Sequence, residues 1–571
     1  MKKYGLAVFG SILAVLLTGC GAALSGDGKE NNDEKMEITV AFWDVDEAFV
    51  GDEVLSSVEE RFQIRLKPVQ MVWDDYKQKI ERWAATGSLP DLFIGDFRNS
   101  PLGLQWVEQG LLQEIPEELS KYPNLENYLK QVMESGEATI GGKLYCIPRQ
   151  TYPSQEWTSI DRIIAYRWDL AKAAGITKEP ENWEEFQEMI LAIIEADPEG
   201  KNIEGMTSTG AGRIAGIILP YSSCLAAAEG TVFHWIRCED GIYRPAYFAE
   251  DLTKAFQLGR DMYTSGVIEK DVVLQTSQSA EEKFLTGKNA AIQYDGGFGD
   301  EYSKMSSLWK EYHENDYTED VKALRLMPDQ NGNKTYPVWG YAWSESYINA
   351  NVGQEKLDRI LQLYDYLLSD EGAFFTSYGP EGELYEIVDG KVQMYDDGAI
   401  VSDKYPSCGV LGILVRWNPS SYDDRFAAGI PEAYNQVNYD LAREAKAVKI
   451  PDHENECIQI MREKKIDFGI KNESDFLRIM TGTEPVEEMW EEIYEEYEEK
   501  GLQKVIDTVN GEMQRRKNKT IKKTIPERRF GFTDCLFFSF LKKGQDRETK
   551  LSDFQVRIRD SLHTNFQRIY L

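Results

Sequence analysis

Aromatic rings and fixed charges stand at the ends of strand-like runs in this chain, and their combination sets the chemistry open to it. Trp43-Asp44 closes one such run and Asp96 closes another. Arg149 and Tyr152 follow the strand-like stretch 144–147, and Asp295, with Tyr294 before it and Gly296-Gly297 after it, ends the run 290–293. Trp339 and Trp343 lie on either side of Gly340, and Arg416-Trp417 sets a cation beside a ring. An indole offers a flat apolar face, a carboxylate accepts hydroxyl protons, and a guanidinium takes a carboxylate bidentately or two vicinal hydroxyls. Such a set suits a ring with C–H faces and a hydroxyl rim, as in a pyranose. Core packing is the alternative for each indole, and a structural ion pair for each arginine.

Covalent and metal chemistry finds less support. There are four His and seven Cys, with no CxxC and no HxxxH, and no GxSxG, HExxH, P-loop or Cys–His nucleophile pattern. A secreted glycoside hydrolase also pairs carboxylates with aromatic subsites, but with 97 acidic residues chance pairs carry no weight. The net charge of −33 repels a nucleic-acid duplex or an anionic membrane surface, so neither is expected as the main partner. A chain of 571 residues, 42% hydrophobic and 12% aromatic, supports more than one folded domain.

The elements that must position these residues alternate. Strand 37–43, helix 52–62, strand 64–72, helix 74–86 and strand 89–96 make βαβαβ, the pattern of a parallel sheet. Asn182-Trp183-Glu184-Glu185 forms a capping box opening an amphipathic helix through Phe186, Ile190 and Ile194, which is expected to pack on a second sheet. Val486, Met489, Trp490, Ile493, Tyr494 and Tyr497 line one face of a late helix that Gly501 stops, and another begins at Leu502. Its Glu-rich face reads as solvated. In open α/β sheets ligands sit beyond the carboxyl ends of strands and at domain junctions, where the residues above fall.

The two termini differ from this body. Lys2 and Lys3 precede an apolar run of about 14 residues, too short for a bilayer that needs roughly 20. Leu17-Thr18-Gly19-Cys20 is similar to the lipobox of bacterial lipoproteins, which implies a signal peptide 1–19, cleavage, and a lipid on Cys20 holding the chain to the membrane. The polar stretch after it, up to residue 36, reads as a tether reaching roughly 20 to 24 Å. At the other end, residues 515–571 carry fifteen Lys or Arg against six acids and no sustained periodicity, so this basic tail is expected to lie outside the fold, whether native or a frameshifted extension.

Several segments together resemble the extracellular solute-binding lipoproteins of bacterial ABC sugar importers, in particular the aldouronate and oligosaccharide type. Ala84-Ala85-Thr86-Gly87-Ser88-Leu89-Pro90-Asp91 looks like that family's helix-to-strand turn. Lys121-Tyr122-Pro123-Asn124 and Gly142-Lys143-Leu144-Tyr145-Cys146-Ile147-Pro148-Arg149 are similar to its "YPN … GKxYGIPR" segment. Arg167-Trp168-Asp169-Leu170, Phe284-Leu285-Thr286-Gly287-Lys288 and Tyr378-Gly379-Pro380-Glu381-Gly382 match further pieces in order.

The resemblance implies a two-lobed periplasmic-binding-protein-like α/β fold of type II, each lobe a mostly parallel sheet flanked by helices, joined by a hinge. One lobe would hold 37–152 and 338–398, the other 153–337 and 399–514. It implies a monomeric, non-enzymatic protein on the outer face of the cell membrane that binds an oligosaccharide through the residues named above and meets ABC permease subunits. A surface receptor feeding a sensor would use the same fold. No cofactor is implied. Some relatives carry a calcium loop after the Trp183 helix, but here the stretch from Asp197 to Glu204 is short and holds Lys201, so no metal is expected.

Overall fold

Ile38, Val40 and Ala41 are buried in the strand Met36–Ala41, which pairs in parallel with Ile64–Pro68 on one side and Leu92–Gly95 on the other. The computed structural model describes residues 35–524 except 44, 73–74, 99, 135–138, 141–142, 151–161, 223–233, 250–251, 338–341, 389, 396–400, 418–423, 427, 429 and 449–453. Helices Glu53–Phe62 and Tyr76–Thr86 make the two crossovers. Asp52 caps the first by accepting the Leu55 N–H at 2.8 Å, and Val54, Leu55, Val58 and Phe62 form its buried face. Gly87, with φ of 68°, ends the second in a left-handed turn. The expected βαβαβ unit is therefore present.

The first sheet runs in the order Ile64–Pro68, Met36–Ala41, Leu92–Gly95, Ala342–Ile348, Ile147–Gln150. The second runs Val321–Ala323, Ile164–Arg167, Asn289–Gln293, Glu204–Ser208. Each sheet contains one strand antiparallel to both its neighbours, Ala342–Ile348 in the first and Ile164–Arg167 in the second. The sheets are thus mixed, which corrects the expectation of mostly parallel ones. The reason is connectivity. The chain enters each of these two strands directly from the other lobe, so it starts at the edge where the neighbouring strands finish.

Alternation along 163–166 shows how the second sheet is covered. Ile164 and Tyr166 join a core with the helix Trp183–Ala196 and the C-terminal helices, while Ile163 and Ala165 join another with Phe284, Trp309 and Tyr317. Both faces are dry, as a sheet wrapped by helices requires. Asn182 caps the Trp183 helix by accepting the Glu185 N–H at 2.9 Å, but Glu185 reaches back to the Glu181 N–H at 2.8 Å, one residue beyond a capping box.

Two boundaries differ from the sequence reading. Tyr405, Cys408, Leu411, Leu414 and Val415 pack in the first core, and Ser407 bonds Asp52 through its N–H and its hydroxyl, both at 2.7 Å. Residues 401–417 therefore belong with the first lobe, not the second. The helix Leu502–Thr524 also continues past 514, with Arg516 bonded to Glu463 at 2.7 Å, so the first ten residues of the basic tail extend an element of the fold. The remainder of that tail, the signal segment and Cys20 lie outside the described residues.

Candidate functional site

The strands Met36–Ala41, Leu92–Gly95 and Ile147–Gln150 all deliver their carboxyl ends to one edge of the first sheet, where Ala342–Ile348 begins. Four of the residues named from sequence meet there. Trp43 stacks on Trp343 with centroids 5.9 Å apart and planes 9° from parallel, and Trp343 meets Trp417 edge-on at 5.4 Å. The Arg149 guanidinium carbon lies 5.0, 5.2 and 4.6 Å from the centroids of Trp43, Trp343 and Trp417. All three indoles are partly exposed, whereas Arg149 is 0% exposed. Burial pushes its pKa down to about 9, against the pull of Glu345. Arg149 thus lies among the rings and not on the open surface where a ligand would meet it first.

Asp96 follows the Leu92–Gly95 strand and is half-buried. Near it is a residue that pattern reading missed. Glu345 is buried, ion-paired to Arg98 at 3.2 Å, and accepts the Tyr347 hydroxyl at 2.7 Å and the N–H groups of Phe97 and Arg98 at 3.3 and 3.4 Å. Burial raises its pKa, Arg98 opposes that, and the Asp96 charge adds to it. A single Glu inside a strand of otherwise ordinary composition carries no signal that its carboxylate is interior.

Arg416 is tied into the fold of the first lobe. Its Nη atoms donate to the Leu367 and Leu368 carbonyls at 2.8 and 3.1 Å, capping the end of the helix Gln354–Leu367. The neighbour of Trp417 thereby ties the stretch after Val415 to a helix end of the first lobe.

The second sheet brings the ends of Glu204–Ser208 and Asn289–Gln293 together with the start of Ile164–Arg167. Asp295 lies at this edge between two guanidiniums, with Arg162 Nε at 3.3 Å and Arg213 Nε at 3.5 Å, and Arg213 also pairs with Glu473 at 3.1 Å. The Gly296 carbonyl accepts the Arg162 N–H at 3.0 Å, so the crossing chain lies on the glycine backbone. Arg162 holds φ of 59°, an uncommon left-handed conformation for a side chain of its size. Arg162 also lines a cavity of about 100 Å³ bounded by Trp183, Ile217, Tyr221, Met327 and Tyr336. Sequence reading found Asp295 but neither arginine, because neither lies in a motif. Asp44, Tyr152 and Trp339 lie outside the described residues.

The described residues thus hold two strand-end edges, one aromatic on the first sheet and one charged on the second. The family model for bacterial extracellular solute-binding proteins matches residues 53–376. The chain belongs to the bacterial extracellular solute-binding proteins. Among solved structures, this solute-binding protein resembles the alginate-binding protein AlgQ2 without calcium ion, with a TM-score of 0.63 and 15% identity over 84% of this chain and 98% of that one. It resembles the S. pneumoniae ABC-transporter substrate-binding protein FusA in complex with kestose, with a TM-score of 0.62 and 14% identity over 85% and 99%. The S. pneumoniae N-glycan transport solute-binding protein NgtS, in complex with Man5GlcNAc, aligns with a TM-score of 0.53 and 16% identity over 86% and 100%. These likenesses establish the two-lobed fold. No curated protein sequence matches.

The loop after the Trp183 helix has its own closure in this solute-binding protein. The Asp197 carboxylate accepts the N–H groups of Lys201, Asn202 and Ile203 at 3.0, 3.1 and 3.3 Å. Lys201 Nζ bonds Glu199 at 2.6 Å and the Thr286 carbonyl at 3.0 Å. Among the described residues no helix is long and apolar enough to cross a membrane.

Proposed function

We propose that this solute-binding protein captures an extracellular oligosaccharide, of the aldouronate or a related type, between its lobes and delivers it unaltered to an ABC importer. The observation that carries this reading is the platform of three partly exposed indoles at the strand-end edge of the first lobe. Flat apolar faces next to hydrogen-bonding groups suit sugar rings, whose C–H faces stack while their hydroxyls seek charged partners. Trp43, Trp343 and Trp417 stack on the ligand, Asp96 and Asp295 accept hydroxyls from opposite lobes, and Arg162 and Arg213 orient Asp295. The three neighbours are an alginate-binding protein and proteins in complex with kestose and with Man5GlcNAc, which supports a saccharide as the ligand class. In the same reading Asp44, Tyr152 and Trp339 line the cleft, and the protein is a monomer held by lipid on Cys20 at the outer face of the membrane, where it meets two permease subunits.

A glycan array on the mature chain, followed by calorimetry on the sugar that binds, tests the proposal. Changing Trp43, Trp343 or Trp417 singly to Ala should cost about 2 kcal/mol or more in binding, the scale of a central aromatic anchor. Arg416→Ala serves as the control: it should lower the melting temperature and leave affinity unchanged. Absence of binding to every glycan would overturn the reading, and new sugar products on long incubation would place the protein among hydrolases.

A further inference from the structure

Among the described residues three arginines are almost wholly buried, and two of them meet carboxylates. Arg167 holds Asp169 through two bonds at 2.8 and 2.6 Å, and Arg98 pairs with Glu345 at 3.2 Å. Arg149, at 0% exposure, is the exception. Among the described residues it has no carboxylate within ion-pair reach; its one hydrogen bond runs to the Ile413 carbonyl at 3.4 Å, and Nε and Nη2 have no partner. An uncompensated buried charge costs several kcal/mol, so a fold retains one only where something else offsets it. Here three indole faces surround the cation, and each such contact is worth up to about 2 kcal/mol when desolvated.

Those rings come from three separate segments: the end of Met36–Ala41, the start of Ala342–Ile348, and the stretch after Val415. The backbone beneath the cation is pinned from one side by Ala342–Ile348 and from the other by residues 415–417, where the Gln150 N–H donates to Val415 at 2.9 Å and the Trp417 N–H donates to Gln150 at 2.8 Å. A cation fixed to the sheet therefore faces three rings that come from segments far apart in sequence, and among the described residues it is the one cation within about 5 Å of all three ring centroids.

We propose that Arg149 is the positioning residue that locks Trp43, Trp343 and Trp417 into one preformed platform, acting on the ligand through the rings without touching it. Rings held in place before the ligand arrives lose no further rotamer freedom on binding, so the platform gains affinity by preorganisation. Only the affinity arm of the test rests on the proposed oligosaccharide function.

The experiment compares Arg149→Met, which removes the charge at similar length, with Arg149→Lys, which keeps it on a smaller head. The readout is the circular-dichroism exciton couplet of the stacked Trp43–Trp343 pair, assigned with Trp43→Phe. Arg149→Met should melt cooperatively yet lose roughly half or more of the couplet, and bind the array-selected sugar about tenfold or more weakly. Arg149→Lys should recover part of both. A lower melting temperature with couplet and affinity intact would overturn the proposal and make Arg149 a packing residue. If Arg149→Met does not fold, Arg149→Lys decides: a couplet and affinity equal to the wild type overturn the proposal, and a loss in both supports it. If no sugar binds, the oligosaccharide reading fails while the couplet still decides the role of Arg149.

Discussion

His313 lies flat on Trp309, with ring centroids 3.7 Å apart, and Arg167 meets the same indole at 4.8 Å. Its Nε2 hydrogen-bonds the Leu285 carbonyl at 2.6 Å. Burial lowers its pKa first; the Leu285 carbonyl opposes this, Arg167 lowers it further, and Asp169 and Glu199 raise it. A base with a depressed folded-state pKa takes up its proton first in the unfolded chain, so its contribution to stability is lost as pH falls through about 6.5 and below. His313→Phe should keep the stack, lose about 1 kcal/mol with the hydrogen bond at pH 8, and show less destabilisation than the wild type on going to pH 5. Melting curves across that range check it, and parallel profiles for the two proteins would contradict it. At this scale the sequence was readable where a residue type met a strand end, as for Trp43 and Trp343. It was unreadable where the partner is a backbone carbonyl, as for Arg416, because every residue has one and only the fold aims it.

Among the elements, the loop from Asp197 to Ile203 is the one whose chemistry is most self-contained. Lys201 returns its ammonium to Glu199 and to Thr286, while Asp197 gathers three backbone N–H groups, so the loop satisfies its own charges. A calcium ion needs six to eight oxygens, and here the cation is already covalently part of the chain. Calcium and a chelator are therefore expected to give the same melting temperature, whereas Lys201→Met should destabilise by about 1 kcal/mol, the scale of a solvent-screened ion pair. A calcium-dependent rise in melting temperature would refute this. The Lys inside the loop was legible as a departure; which carboxylate it takes was not, since Glu199 and Thr286 are brought to it from both sides of a turn and from a separate helix end. Helix periodicity was legible for the same reason it folds: Trp183, Phe186 and Ile190 recur at the spacing that makes one buried stripe.

Across the whole molecule, the lobes meet away from the indole edge as well. Lys465, after the helix Glu454–Glu463 that packs in the second core, pairs with Glu108 of the first lobe at 3.3 Å. Arg462 has its pKa lowered by burial and then by the charge of Arg98, which places it close to the first lobe's buried ion pair. The C-terminal helix ends its buried stripe at Met513, and beyond it Arg516 contributes ion pairs with Glu463 and Glu456. Truncation after Thr524 is expected to leave the melting temperature unchanged. Truncation after Gln514 removes the part-exposed Arg516 pairs and should cost less than about 1 kcal/mol, or roughly 2 to 4 °C. A larger drop in either form would show that the tail packs on the core. Local pattern by itself determined the βαβαβ unit, the amphipathic helices and the strand ends on which Trp43, Asp96 and Asp295 lie, because period and capping act over a few residues. Only the tertiary structure decided that both sheets are mixed, that 401–417 returns to the first lobe, and that Arg149 serves three indoles. Each of these depends on where distant segments cross between lobes, and contacts made across hundreds of residues leave no period in the chain.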